Sequence, residues 1–200
     1  MTGWLSVHFL PAALIACVGI AAINAKAQVQ DPSGITFDGV ARTGADTRPV
    51  RFHFFCSSNQ GANLTGVLAV ELEVPDHEQL RAVFDFDPFE GPDAHAGPLT
   101  QLQTTGARTK AADRFTAEGS IVPVGSSEAF SLEVAASRRD PGPLRKLVSV
   151  LRPLIDGPGR LVWQQGNAKP GGTPMSASLD LAQAQSEQLK SGLGPCLGAR

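Results

Sequence analysis

The chain has 200 residues and a formal net charge of −2, with 17 Lys and Arg against 19 Asp and Glu. No basic cluster interrupts that balance, so nothing in the sequence offers nucleic acid an electrostatic footprint. Hydrophobic residues make up 42 %, enough for a core and too many for a wholly disordered chain, and 21 Gly with 15 Pro mark it as rich in turns.

Residues 1–27 read as a secretory signal peptide. Phe9 to Ile23 is an apolar run, and Ala25-Lys26-Ala27 fits the small-x-small cleavage pattern, which makes Gln28 the mature N-terminus. The segment before the run carries no Lys or Arg. Two alternatives therefore stand beside cleavage. Residues 4–23 approach the length of a retained membrane anchor. Leu14-Ile15-Ala16-Cys17 could instead be a lipidation site, although the chain stays apolar after Cys17 where a polar tether is usual. On the cleavage reading no membrane span remains, and residues 28–200 form one exported domain.

Gln28 to Gly34 is a polar arm. Ile35 to Arg42 predicts a first strand, and Thr43 to Pro49 a connection. Val50-Arg51-Phe52-His53-Phe54-Phe55-Cys56 is the densest aromatic run. Its alternation is that of a core β-strand. Ser57 to Gly66 is a polar loop. Val67 to Val74 follows as a strand with Leu68, Val70, Leu72 and Val74 on one face and Glu71 and Glu73 on the other, so the two strands are expected to pair.

Pro75 to Glu78 reads as a turn and Leu80 to Phe86 as another alternating strand. Pro88 to Pro98 is a surface loop. Leu99 to Thr105 is a weak strand and Gly106 to Ala112 a turn. Phe115 to Val122 and Glu128 to Ser137 are two strands around Pro123-Val124-Gly125-Ser126. The period then changes. Leu144, Leu147, Val148, Leu151 and Ile155 recur at three and four, predicting a helix capped near Asp140 and ended or kinked early by Pro153. Leu161 to Gln165 and Met175 to Leu181 are the last strands. Asp180-Leu181-Ala182-Gln183 resembles a capping box and opens a final helix, with Leu181, Ala182, Gln185, Leu189 and Leu193 inward. Gly192 and Gly194-Pro195 should stop it.

Eight or nine short strands, two short helices and no βαβ alternation give an α+β fold. It is mainly an antiparallel β-sheet, sandwich-like or strongly curved. If Cys17 leaves with the leader, Cys56 and Cys196 remain. An even pair in an exported chain reads as a disulfide that staples the C-terminal helix to the sheet.

Each candidate for chemistry has a bland competitor. Asp85 to His95 holds four carboxylates and a histidine, but their spacing is not that of a calcium loop, and a solvated acidic loop looks the same. His53, His77 and His95 lack zinc-ligand spacing. Gly125-Ser126-Ser127 is not a nucleophile elbow, and the Gly171-Gly172-Thr173 loop has no phosphate-binding Lys. Glu71 with Glu73, and Asp85 with Asp87, could serve glycoside hydrolysis only by facing each other across a cleft. Asn63-Leu64-Thr65 matches a glycosylation acceptor. No catalytic, metal or cofactor site is assigned, and no cofactor is expected. The expectation is a periplasmic or secreted, non-enzymatic protein that binds an envelope partner or supports an envelope assembly. The alternative is a small envelope hydrolase using converging carboxylates.

Overall fold

A computed structural model describes residues 34–57, 66–91, 94 and 96–197. The chain divides into two units, Met1–Gln30 and Asp31–Arg200, and all described residues belong to the second. The leader with its candidate cleavage and lipidation sites, Asn63-Leu64-Thr65, Asp93 and His95 lie outside the described residues.

Nine strands form one sheet: β1 Ile35–Thr43, β2 Asp46–Ser57, β3 Val67–Pro75, β4 Thr100–Gly106, β5 Lys110–Phe115, β6 Glu118–Val124, β7 Ser127–Ser137, β8 Gly159–Gln165 and β9 Met175–Leu181. Their order is β5-β4-β8-β9-β1-β2-β3-β7-β6, and every strand pairing is antiparallel. Helix α1, Pro141–Ile155, touches β4, β5 and β8 on one side and β7 on the other. Those strands are far apart in the sheet order, so the sheet curls around the helix into a half-barrel. Helix α2, Gln183–Leu197, packs on β2 from the same inner side.

The aromatic run behaves as its alternation demands. Val50, Phe52 and Phe54 are buried on the inner face beside Leu68, Val70, Leu72 and Val74 of β3, while Arg51, His53 and Phe55 point to the other side. Fully buried Trp163 closes the far side of the core. Its Nε1 donates to Gln165 Oε1 (3.1 Å), which also accepts from Thr100 Oγ1 (2.7 Å), so these buried polar groups are satisfied.

The structure corrects several expectations. Leu80 to Phe86 is not a strand. It follows a 3-10 turn at His77–Leu80, and Val83 N and Phe84 N both donate to Leu80 O. β3 already has β2 and β7 as neighbours, so no ladder is free beside it. The segment instead turns across the sheet end. It inserts Leu80, Phe84 and Phe86 into the core, followed by Phe89, and Phe86 packs tilted against Phe130 with centroids 4.7 Å apart. His77 lies in this cluster, 1 % exposed, with neither ring nitrogen hydrogen-bonded. Glu78 Oε1 is 3.1 Å from Nε2 but not aligned for a bond.

The ninth strand comes from elsewhere. Lys110–Phe115, expected to lie within a turn and the start of the next strand, is an edge strand with one wet face. β2 begins at Asp46, since only Gly44 and Ala45 separate it from β1, and Gly44 supplies the φ of 61° the tight turn needs.

Both helices outlast their expected ends. Asp140 caps α1 by accepting from Gly142 N, as anticipated, but the helix runs past Pro153 to Ile155. β9 continues through Leu181, so α2 starts later; Leu189 and Leu193 of the expected stripe face inward, joined by Ser186 and Cys196 in place of Ala182 and Gln185. Ser186, Leu189, Leu193 and Cys196 are buried, and Ser186 Oγ donates to Gly157 O (2.8 Å). Gln185 instead reaches back to accept from Ala182 N (2.8 Å), the return half of a capping box. Gly192 does not stop the helix. A Cβ there would overlap Ile35 Cδ1, so the glycine lets α2 approach β1.

The staple is present. Cys56 on β2 and Cys196 in the last turn of α2 form a disulfide with Cα atoms 5.8 Å apart.

Candidate functional site

Two places gather chemistry. The first is the outer face of the sheet, away from the helices. Antiparallel register sets Thr36, His53, Glu71, Glu133 and Glu118 side by side across β1, β2, β3, β7 and β6. His53 Nδ1 is 2.8 Å from Thr36 Oγ1 and Nε2 is 3.1 Å from Glu73 Oε2. With the proton on Nε2, the ring donates to Glu73 and accepts from the Thr36 hydroxyl. Arg51 donates to the other oxygen of Glu73 and covers it, so Glu73 is only 6 % exposed where a wet position was expected. Glu71 accepts from the hydroxyl of Ser131.

Glu133 remains exposed, yet the sheet beneath and beside it removes water from one side. That desolvation, then the charges of Glu71 and Glu118, raise its pKa above the usual carboxylate range.

The hydroxyl, imidazole and carboxylate of Thr36, His53 and Glu73 form a chain the sequence did not reveal. The three positions lie on three strands, and only the ladder brings them together. Acyl transfer would further need a substrate cleft and donors aimed at the developing oxyanion. The principal grooves are lined by other residues. The carboxylates also stand side by side on a sheet face and do not oppose one another across a cleft.

The acidic segment is not a shared centre in its described part. Arg81 bonds Asp87 and Glu78, and those hydrogen bonds, Asp87 first, raise its guanidinium pKa further. Among the described residues no three His, Cys, Asp or Glu side chains group as metal ligands. Ser126 and Ser127 sit at an exposed turn, and Cys56 is held in the disulfide.

The second place is a groove of about 680 Å³ on the outward side of α1, where the β7–α1 turn meets the end of α2. Leu144 and Val148 line its apolar floor, one turn apart. Both belong to the apolar set that predicted the helix and are only half-buried, because Leu147, Val150, Leu151 and Leu154 form the inner stripe. Arg138, Arg145 and Arg152 line the rim, and Cys196 forms part of the wall. Arg138 donates to Pro195 O (3.2 Å), which ties the turn to the end of α2. Arg145 and Arg152 have no hydrogen-bond or ion-pair partner among the described residues. The sequence carries no basic run here. Its usable signal was the spacing of Leu144, Arg145, Val148 and Arg152 on one helical face.

The class defined by these features is a disulfide-stapled, antiparallel half-barrel with an arginine-rimmed groove. No known family model matches the chain, and no curated protein or solved structure matches it either.

Proposed function

We propose that this is an exported, non-enzymatic protein that takes a binding partner in the groove beside α1. The observation that carries the reading is the separation of charge. Arg145 and Arg152, without an ion-pair partner among the described residues, rim an apolar groove, while Glu71 and Glu133 lie on the sheet face away from the helices, outside the principal grooves. A binding site needs a concave apolar surface with a few convergent polar groups, and the groove supplies both. The disulfide supports an oxidising compartment such as the periplasm, with residues 1–27 as the leader. Among the described residues no helix is long and apolar enough to cross a membrane.

The test uses the full chain expressed in a bacterial host and purified from the periplasm without detergent. Intact mass should begin at Gln28, and a species keeping residues 1–27 or an acylated Cys17 would overturn the export reading. Native mass measurement should then show a bound species on the wild type that is missing from an Arg145→Glu/Arg152→Glu variant. An identical load on both proteins, or none on either, overturns the binding reading.

The Thr36–His53–Glu73 chain supports a second reading, an envelope hydrolase. Turnover of a simple aryl ester that disappears in Thr36→Ala and in Glu73→Gln would favour it, and equal background rates in all three proteins would eliminate it.

A further inference from the structure

We infer that the groove binds a single-chain anionic amphiphile, of which a long-chain carboxylate is the simplest. The inference rests on the reading of this groove as the binding site. Pro141 and Arg152 both line the groove, and the stretch of α1 between them spans about 16 Å at 1.5 Å per residue. Leu144 and Val148 lie within it, half-exposed, so an apolar chain laid there removes their surface from water.

The cations are placed for a head group. Arg145 and Arg152 are two turns apart on the same face as that floor, and Arg138 faces them from the β7–α1 turn. Lys146, the other cation of α1, already reaches Asp113 at 3.3 Å. Among the described residues Arg145 and Arg152 are therefore the cations of α1 left without an ion-pair partner. A guanidinium binds a carboxylate with two parallel N–H donors, a geometry an ammonium does not match. The net charge of −2 makes such a cationic patch a local feature rather than a general property of the surface.

Size separates the occupants. A volume of about 680 Å³ lies within the range of small-molecule sites. Its walls are a handful of side chains, against roughly 20–30 residues a side in a stable protein–protein interface. A small molecule with an apolar tail and an anionic head satisfies the floor and the rim together.

The wall is conditional on the staple. Cys196 belongs to it, and Arg138 holds the carbonyl of the preceding residue. Reducing the disulfide frees the end of α2 and removes one side of the groove.

The experiment is isothermal titration of the exported chain with dodecanoate below its micellar range. The comparisons are dodecyl maltoside, which has the tail without the charge, and acetate, which has the charge without the tail. Dodecanoate should bind with one-to-one stoichiometry, and each comparison should be weaker by about tenfold or more. Going from dodecanoate to decanoate should weaken binding by up to about fourfold per methylene, the equivalent of about 0.8 kcal/mol. Arg145→Glu/Arg152→Glu should lower dodecanoate affinity by at least about tenfold. Both side chains are exposed, so its melting temperature should stay that of the wild type. Val148→Trp, which fills the floor and leaves the arginines, should block dodecanoate.

Equal binding of dodecyl maltoside, equal binding of acetate, or undiminished binding to the arginine variant would each overturn the inference. If dodecanoate fails to bind while the periplasmic wild type carries an arginine-dependent protein partner, the amphiphile is refuted and the binding groove stands.

Discussion

Replacing Cys196 with Ser tests the architecture most directly. The disulfide joins positions 140 residues apart. In the chain-entropy model a loop of that length restricts the unfolded chain by about 5 kcal/mol, an upper figure because measured effects often fall short. The native side points the same way. α2 buries Leu189 and Leu193 fully, worth roughly 3–6 kcal/mol together. Beyond these two leucines α2 buries only Ser186 and Cys196 among its described side chains, a thin inner stripe for a helix at a chain end. The helix stays docked because its last turn is tied to β2.

A loss of about 3–5 kcal/mol follows, and at about 2–4 °C per kcal/mol the melting temperature should fall by roughly 10–15 °C. Thermal melts of the wild type, Cys56→Ser, Cys196→Ser and the double variant read it. The double should match either single, since all three remove the same bond. Limited trypsin digestion should cut first at Lys190 in the variants, on the exposed side of α2. A fall of less than about 4 °C would refute the reasoning. So would thiol labelling of both cysteines in the native wild type, or a double variant much less stable than either single.

Three further outcomes are expected. Glu133→Gln should be neutral near pH 3.5 and stabilising at pH 7. The raised pKa means that the native state favours the protonated form, so stability present below the usual carboxylate range is lost as pH rises through the native value. Urea unfolding at the two pH values should show a gain of only a few tenths of a kcal/mol, because the side chain is exposed and screened. Gly192→Ala should destabilise by about 1–2 kcal/mol through overlap with Ile35, whereas Gly194→Ala, with open space around it, should stabilise by about 0.5–1 kcal/mol; paired melts of the two variants check the contrast. His77→Leu should raise stability by about 1 kcal/mol in denaturant unfolding, since it removes a buried ring whose nitrogens lack partners and leaves the aromatic cluster in place.

Local periodicity was enough wherever a segment finds its partners close by. The alternation of Val50 to Cys56 and of Val67 to Val74 determined two strands, their inner faces and their pairing, because a period of two fits one buried face. The change of period at Leu144 determined a helix, and an even pair of cysteines determined the staple. The same reasoning failed at Leu80 to Phe86, whose alternation is real. Both sides of the preceding strand β3 are taken by β2 and β7, so the aromatics enter the core from turns.

The fate of α2 was likewise outside local reach. Gly192 and Pro195 read as breakers, but close packing on Ile35 and the bond at Cys196 hold a helix that propensity alone would end. Both candidate sites belong to this second kind. Thr36, His53 and Glu73 meet through strand register, and Arg138 joins Arg145 and Arg152 because the β7–α1 turn folds against α2. Composition, period and cysteine count fixed the parts, since each depends on neighbours a few residues away. Which side chains share a surface depended on pairings tens of residues apart, decided only when the sheet curled around α1 and the last helix packed on β2.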